Sequence, residues 1–199
     1  MPHRKVLRET IETSLSRIVF DCSSKQENYK SLNECLETGP NLNPKVLGVI
    51  LKFREPEVSF CGDLEKASLK IGIAEEDRDY YLRFLWFGDN NESHSILRMR
   101  RTPYGTAISP FILAATIKYH VKKYKREKPE SFEMLKSSLY VDVLYHGGKT
   151  VEDAYRLSVD AVNIFEDAGM NLRKLKTNSE ELNNKWIVAK NKGSGDFDE

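Results

Sequence analysis

The chain has 199 residues, of which 40% are apolar and 31% are charged, and its formal net charge is +1. A chain of this length can bury one substantial core, and this balance of apolar and charged residues is typical of a folded domain in water. Because no run of 18 apolar residues and no signal-peptide segment is present, the sequence predicts neither a membrane span nor secretion. Cys22, Cys35 and Cys61 show no metal-ligand spacing, which predicts reduced thiols and a cytoplasmic or nuclear location.

The first part of the chain predicts strands and one short helix. Residues 17–22 (RIVFDC) are rich in β-forming side chains, which indicates a strand. Asn43-Pro44 combines an N-cap residue with a first-turn proline, so we expect a helix to begin there and to end before Pro56. Residues 58–64 (VSFCGDL) predict a buried strand with an aspartate near its end.

The middle of the chain predicts a hairpin followed by a longer helix. Residues 75–80 are acidic and indicate a turn or a short helix. Residues 82–87 and 96–101 are strand candidates on either side of a Gly-Asp-Asn-Asn turn signal. Ser109-Pro110 then caps a helix whose apolar residues recur at nearly helical spacing.

The last part predicts a strand, a capped helix and a tail. Residues 138–145 (SLYVDVLY) indicate a strand or a strand and turn that carries Asp142. Thr150, with an acidic residue three positions later, predicts the start of a helix that Gly169 ends. Periodicity weakens after Asn178, and the last residues are expected to fray. Helices that alternate with strands, at least one pair of them a hairpin, predict an α+β fold.

Asp63 and Asp142 are the most informative titratable residues, because both lie in apolar strand-like runs. A buried carboxylate needs a partner or a metal. If the two met, a divalent cation such as Mg²⁺ would relieve their repulsion and leave coordination positions open for phosphate oxygens. From spacing alone the alternative, two aspartates with local hydrogen bonds, is the better interpretation.

Three further features are weak when taken singly. Tyr104 and Gly105 form a polar loop before a capped helix, which suits close approach of a substrate but is also an ordinary turn. Arg17 is able to clamp a phosphate or to remain a surface cation. The basic run at residues 122–128 is typical of a solvated helix C-terminus, although it also suits a phosphate-binding surface.

The order of the motifs along the chain is more specific than any one of them. From Met1 to Leu182 the sequence resembles the reverse transcriptases of BEL/Pao-type retrotransposons. The matching stretches are MPHRKVLRET, SRIVFDCSS, SLNECLETGPNLNP, DLEKA, EEDRDYYLRFLWF, LRMRRTPYGTAISPFILAATIKYH, SSLYVD and GMNLRKLKTNSEEL.

This resemblance implies a right-hand polymerase fold with an antiparallel palm sheet packed on helices. It places the fingers at about residues 1–55 and 72–107, the palm at about 56–71 and 108–190, and a disordered tail at 191–199. By the same resemblance, Asp63 and Asp142 are the catalytic, metal-binding aspartates, and the backbone carbonyl of Leu64 also faces the metal.

The resemblance also implies roles for residues outside the aspartate pair. Arg17 falls at the position of an arginine that grips the nucleotide triphosphate, and Tyr104 and Gly105 match a loop that packs against nucleotide and template. Lys176 corresponds to a lysine that protonates the leaving pyrophosphate, with Lys174 as the competing choice.

Three departures from the family pattern predict an impaired copy. The family's Tyr-Val-Asp-Asp hairpin reads Tyr-Val-Asp-Val here, so Val143 replaces the second aspartate at what we expect to be a tight turn. Ser68 stands where the family has an aromatic plate under the sugar, which predicts a loosened nucleotide pocket that admits ribonucleotides. By the resemblance, the chain is also expected to cover only fingers and palm, without the protease, thumb, ribonuclease H and integrase expected in an intact element.

The sequence therefore predicts an RNA-directed DNA polymerase domain that uses Mg²⁺ or Mn²⁺ and is weak or inactive. Its expected partners are an RNA or DNA template with primer and deoxynucleotide triphosphates; no membrane partner is expected. Two alternatives stay open: a non-catalytic nucleic-acid-binding module, and an expressed pseudogene fragment. The sequence makes no prediction of oligomeric state.

Overall fold

A computed structural model describes residues 1–7, 16–87 and 94–191. The chain divides into two compact units that alternate along the sequence. The first comprises Met1–Pro40 and Ser68–Ile112, and the second comprises Asn41–Ala67 and Leu113–Glu199. The predicted fingers and palm also alternate along the chain but have other boundaries, so their limits stay a prediction.

The first unit contains two separate two-stranded antiparallel sheets. Strand β1 (His3–Leu7) pairs with β2 (Ser16–Phe20), and β4 (Arg83–Phe87) pairs with β5 (His94–Arg98). Three short helices also belong to this unit: α1 (Leu32–Cys35), α3 (Ala67–Lys70) and α4 (Glu75–Tyr81). Helix α3 begins at Ala67, one residue before the boundary between the units. The predicted pairing of residues 82–87 with 96–101 is confirmed by β4 and β5, and the strand predicted at residues 17–22 is β2; the pairing of β2 with β1 was not predicted. The turn predicted at residues 88–91 lies outside the described residues.

A four-stranded antiparallel sheet forms the centre of the second unit. Its strands are β3 (Val58–Leu64), β6 (Leu139–Tyr140), β7 (Val143–Gly148) and β8 (Leu172–Thr177). They lie in the order β6-β7-β3-β8, so β3 occupies an interior position although it comes first in the chain. The predicted bounds of β3 agree with the structure at both ends.

Helices accompany this sheet. They are α2 (Val46–Phe53), α5 (Ser109–Val121), whose first four residues belong to the first unit, α6 (Pro129–Ser138), α7 (Val151–Asp167) and α8 (Glu180–Asn191). The core between strands and helices includes Phe60, Leu144, Leu172 and Phe165, each fully buried. Trp186 of α8 contacts the edge of the Phe60 ring and donates to Ser158 Oγ at 2.9 Å, which fixes α8 to both strand and helix. The predicted α+β fold is confirmed.

Helix α7 shows how local sequence determines an element. The Thr150 side chain accepts a hydrogen bond from the Asp153 backbone N–H, as the capping pattern predicts. Ala154, Leu157 and Ala161 then form a buried stripe at helical spacing. After the helix ends, Gly169 adopts φ +65°, the left-handed conformation that glycine favours.

Three local predictions are wrong. Helix α2 begins at Val46 after Lys45, which makes no side-chain cap bond, so Asn43 is not its N-cap. Ser138 ends helix α6 and does not begin a strand, because its buried side chain continues the inner face of that helix. The sequence after Asn178 has weak periodicity and was not predicted to be helical, but it forms helix α8, which includes Lys190 and Asn191. Residues 192–199 lie outside the described residues.

Over the three ranges that the structure describes, every helix is too short or too polar to cross a lipid bilayer.

Replacing Phe60 by alanine tests whether this core carries the stability of the second unit. We expect Phe60→Ala to lower the free energy of unfolding by about 3–5 kcal/mol, because a fully buried ring leaves a cavity. The control is Tyr119→Ala, which removes an aromatic side chain that is 77% exposed and is expected to change stability by less than about 1 kcal/mol. Urea denaturation measures both, and an equal effect of the two changes would contradict the core assignment.

Candidate active site: two aspartates at one end of the central sheet

Asp63 lies on the face of β3 that points away from the buried core. Burial alternates along this strand, with Phe60, Gly62 and Leu64 buried and Cys61 and Asp63 only half-buried. Side chains of a strand point alternately to its two faces, so the Asp63 carboxylate lies on the opposite face from the core. Its position is a consequence of how β3 buries its apolar residues.

Asp142 lies in the two-residue turn between β6 and β7. Tyr140 pairs with Val143, which leaves Val141 and Asp142 as the turn. Val141 adopts φ +58°, a conformation that is unfavourable for a β-branched residue. Its backbone N–H donates to Asn43 Oδ1 at 3.4 Å. Backbone strain of this kind is concentrated at functional sites, where the surrounding structure maintains it.

Strand pairing brings the two aspartates together across 79 positions of sequence. Strand β3 pairs with β7 so that Asp63 is opposite Val143, and the Leu64 N–H donates to the Asp142 carbonyl at 2.8 Å. Burial raises the pKa of the Asp142 carboxyl, and the negative charge of Asp63 raises that pKa further. The two carboxyl groups therefore interact electrostatically at one end of the sheet.

Val143 lies directly opposite Asp63, as the first residue of β7. The expectation that Val143 occupies the tight turn is wrong, because the turn consists of Val141 and Asp142. Directly opposed residues of an antiparallel pair have Cβ atoms about 4.5–5.5 Å apart. A carboxylate at position 143 would therefore be a near neighbour of Asp63 on the same face of the sheet.

Arg173 is a neighbour of Asp63 that sequence reasoning missed. It is the partner of Asp63 in β8, on the other side from Val143. Its Nη1 lies 3.2 Å from Glu65 Oε1, and its buried Nε has no hydrogen-bond partner among the described residues. The register between β3 and β8 shifts between Cys61 and Asp63, and no local pattern in β8 reveals such a bulge.

The two candidate lysines differ in position. Lys176 is exposed and pairs with Cys61, two residues before Asp63, so it lies on the same face of the sheet as Asp63. Lys174 is half-buried, lies within the irregular part of β8 and has φ +53°. The register thus assigns Lys176 to the face of the sheet that carries Asp63.

The oxygen atoms near the two aspartates are of the type that binds a hard cation, but they are few. Carboxylate oxygens and a backbone carbonyl are ligands that Mg²⁺ accepts, and Asp63, Asp142 and the carbonyl of Leu64 belong to one end of the sheet. Within residues 1–7, 16–87 and 94–191, no group of three or more His, Cys, Asp or Glu side chains could hold a metal ion. The register brings together the two carboxylates Asp63 and Asp142, and the residue directly opposite Asp63 is Val143.

The other predicted site residues belong to the first unit. Ser68 is buried in α3, with 6% of its surface exposed. Tyr104 is half exposed, and Gly105 has φ +95° with the space of a Cβ only 2.9 Å from the Phe20 carbonyl oxygen, so a larger residue is disfavoured. Arg17 lies in strand β2, and its side chain is outside the described part of the chain.

No family model and no curated protein sequence matches the chain. Solved structures do match. A foamy viral protease-reverse transcriptase in complex with an RNA/DNA hybrid has a TM-score of 0.59 at 19% identity and is aligned over 79% of this chain and 18% of its own. A second foamy viral protease-reverse transcriptase structure, in complex with double-stranded DNA, has a TM-score of 0.62 at 18% identity, with 84% and 25% aligned.

The native prototype foamy virus protease-reverse transcriptase has a TM-score of 0.62 at 17% identity, with 86% of this chain and 19% of that chain aligned. This chain thus spans about a fifth to a quarter of the length of these proteins. At such identities the likeness concerns the fold. The chain has a reverse-transcriptase-like fold.

Proposed function

We propose that this chain is a reverse-transcriptase domain of BEL/Pao retrotransposon type whose nucleotidyl-transfer activity is impaired. The observation that carries the proposal is the pairing of β3 with β7, which makes neighbours of Asp63 and Asp142. The family motifs from Met1 to Leu182 and the reverse-transcriptase-like fold support the same conclusion independently. Each finding alone is compatible with other functions, and together they favour this one.

In this proposal Asp63, Asp142 and the carbonyl of Leu64 hold Mg²⁺ or Mn²⁺. Such ions, when bound, activate a primer 3′-hydroxyl and stabilise charge on the leaving phosphate. Lys176 lies on the face of the sheet that carries Asp63 and supplies a proton to the pyrophosphate that leaves. The sheet thus presents negative groups for a cation and, at Lys176, a positive group for the product.

The remaining roles follow from the family resemblance. Arg17 would grip the triphosphate of a deoxynucleotide. Tyr104 and Gly105 would contact nucleotide and template. The glycine suits this loop because its φ is positive and because a Cβ would lie 2.9 Å from the Phe20 carbonyl oxygen. Ser68 would lie below the sugar, where a small side chain leaves room for a 2′-hydroxyl.

Impairment follows from the residue opposite Asp63. The apolar side chain of Val143 supplies no ligand at the position where the family has its second hairpin aspartate. Loss of one stabilising group at a transition state typically costs about 100- to 1000-fold in rate. The site therefore keeps the arrangement of a polymerase with weakened metal affinity.

A primer–template duplex is the proposed macromolecular partner. The foamy viral proteins in two of the matched structures are in complex with an RNA/DNA hybrid and with double-stranded DNA. In this chain Lys122, Lys123, Lys125 and Arg126 are all exposed. This basic segment supports a second candidate function, a non-catalytic nucleic-acid-binding module, because phosphate contacts dominate duplex affinity.

Metal binding can be measured without activity. We expect Val143→Asp to lower the melting temperature in EDTA, because like charges in directly opposed strand positions repel. Mg²⁺ should then stabilise Val143→Asp more than the unaltered chain, by about 1.4 kcal/mol at a concentration tenfold above Kd. Differential scanning fluorimetry at constant ionic strength measures both effects.

The control for this experiment is Asp63→Asn in the Val143→Asp background. Because it removes the opposing carboxylate, it should abolish the additional response to Mg²⁺. An equal Mg²⁺ response in all three proteins would mean that the aspartates do not form the cation site.

Primer extension tests the catalytic part of the proposal. The unaltered chain should extend a primer negligibly with Mg²⁺ or Mn²⁺, whereas Val143→Asp combined with Ser68→Phe should raise the rate by about 100-fold or more. Asp63→Asn in that double variant is the negative control. Robust extension by the unaltered chain would show that the lost carboxylate is dispensable.

Gel-shift titration on an RNA/DNA hybrid separates the binding module from an inert pseudogene fragment. We expect binding that weakens steeply with salt, and a smaller salt dependence for Lys122→Glu combined with Lys123→Glu. Lys149→Glu, an exposed charge reversal in the turn before α7, is the control. Absence of salt-sensitive binding would favour the inert fragment.

A further inference from the structure

We propose that an apolar cavity beside the β6–β7 turn binds a small amphipathic anion, with an apolar body of one or two rings and one acidic group. The cavity has a volume of about 250 Å³ and lies wholly within the second unit. Its wall includes Val141, the residue before Asp142. The inference concerns a separate ligand and does not depend on polymerase activity.

Two helices build the apolar wall. Ala114, Ile117 and Val121 of α5 line the cavity at spacings of three and four residues, which places them on one side of that helix. Leu135 of α6 and Leu139 of β6 continue the wall. All five residues are buried, with exposed fractions between 2% and 7%, so the wall belongs to the packed core.

The volume sets the size of the ligand. An apolar cavity of about 150 Å³ accommodates benzene, and pockets for drug-sized molecules begin at about 300 Å³. A cavity of about 250 Å³ therefore suits one or two fused rings, or a short branched chain. Asn43 is the one neutral polar side chain in the described wall, and its Oδ1 already accepts from the Val141 N–H.

Four lysines give the cavity its charge preference. Lys118, Lys122, Lys125 and Lys136 all line it, and all four are exposed. Lys136 bonds to Glu133 at 3.2 Å, whereas no carboxylate in the described ranges forms an ion pair with the other three. The ammonium nitrogens of Lys125 and Lys136 lie 6.0 and 5.7 Å from the centroid of the same ring, Phe132, which also lines the cavity. Because like charges repel one another, an anion beside these lysines relieves that repulsion while its apolar body displaces water from the wall.

These features disfavour three other ligand classes. A cationic ligand meets four like charges, and a nucleobase finds few donors or acceptors in the wall, so its polar edge would be buried without partners. A simple inorganic anion leaves the apolar wall in contact with water. An aromatic carboxylate satisfies both parts of the site.

The test compares 1-naphthoate with its neutral isostere 1-naphthamide on the unaltered, full-length chain. Isothermal titration calorimetry at low salt should show that naphthoate binds about tenfold or more tightly than naphthamide, and raised salt should reduce the difference. Equal affinity of the two would overturn the charge preference. Failure of both to bind would overturn the proposal as a whole.

Charge reversal at the entrance locates the site. Lys118→Glu combined with Lys122→Glu should weaken naphthoate binding about tenfold or more and leave naphthamide binding unchanged, which also shows that the cavity is intact. The control replaces Lys149 and Lys185, two lysines of the same unit outside the cavity wall, by glutamate. A loss of naphthoate affinity as large in the control would overturn the assignment to this cavity.

A cavity-filling change completes the experiment. Ala114→Leu projects a larger side chain into the wall and should abolish binding of both compounds, with a cooperative melting transition as the folding check. Naphthoate binding with unchanged affinity to a folded Ala114→Leu protein would place the ligand elsewhere. Because none of these readouts involves primer extension or Mg²⁺, failure here is distinguishable from failure of the proposed function.

Discussion

The antiparallel pairing of β3 with β7 is the constraint on which the candidate site depends. Its register is determined by burial, because Phe60, Leu64 and Leu144 must all reach the core. A slip of one residue would turn that apolar set to the opposite face of the sheet. The same register sets Asp63 opposite Val143 and next to Asp142. The position of the carboxylates is thus a by-product of hydrophobic packing on the other face.

This arrangement stores unfavourable energy at one end of the sheet. Burial and the charge of Asp63 both disfavour the ionised form of Asp142, and Val141 adopts a strained backbone conformation one residue earlier. A second hairpin carboxylate would add further repulsion in the absence of a cation. Valine at position 143 avoids that repulsion.

The sequence predicted correctly those helices and strands whose limits are determined by neighbouring residues. Strand β3 is a continuous apolar run, and α7 has both a cap and a regular stripe, so their limits follow from neighbouring residues. Helix α6 was missed because its inner face includes Ser131 and Ser138, whose burial depends on tertiary packing. The bulge in β8 and the neighbour relation of Arg173 with Asp63 are long-range properties of strand register. The resemblance to the family identified both Asp63 and Asp142 as site residues. Their spacing in the sequence did not by itself predict that they are neighbours in the fold.

The fold and the chemistry are carried by different residues of the same strands. Residues that face the core of the second unit determine which strands pair, and they can change among apolar types while the topology persists. Residues on the opposite face, such as Asp63 and Val143, contribute little to that core. A reverse-transcriptase-like fold at 17–19% identity is therefore compatible with an intact, weakened or lost active site. The side chains around Asp63, among them the apolar Val143 directly opposite it, are therefore little constrained by the packing of the core.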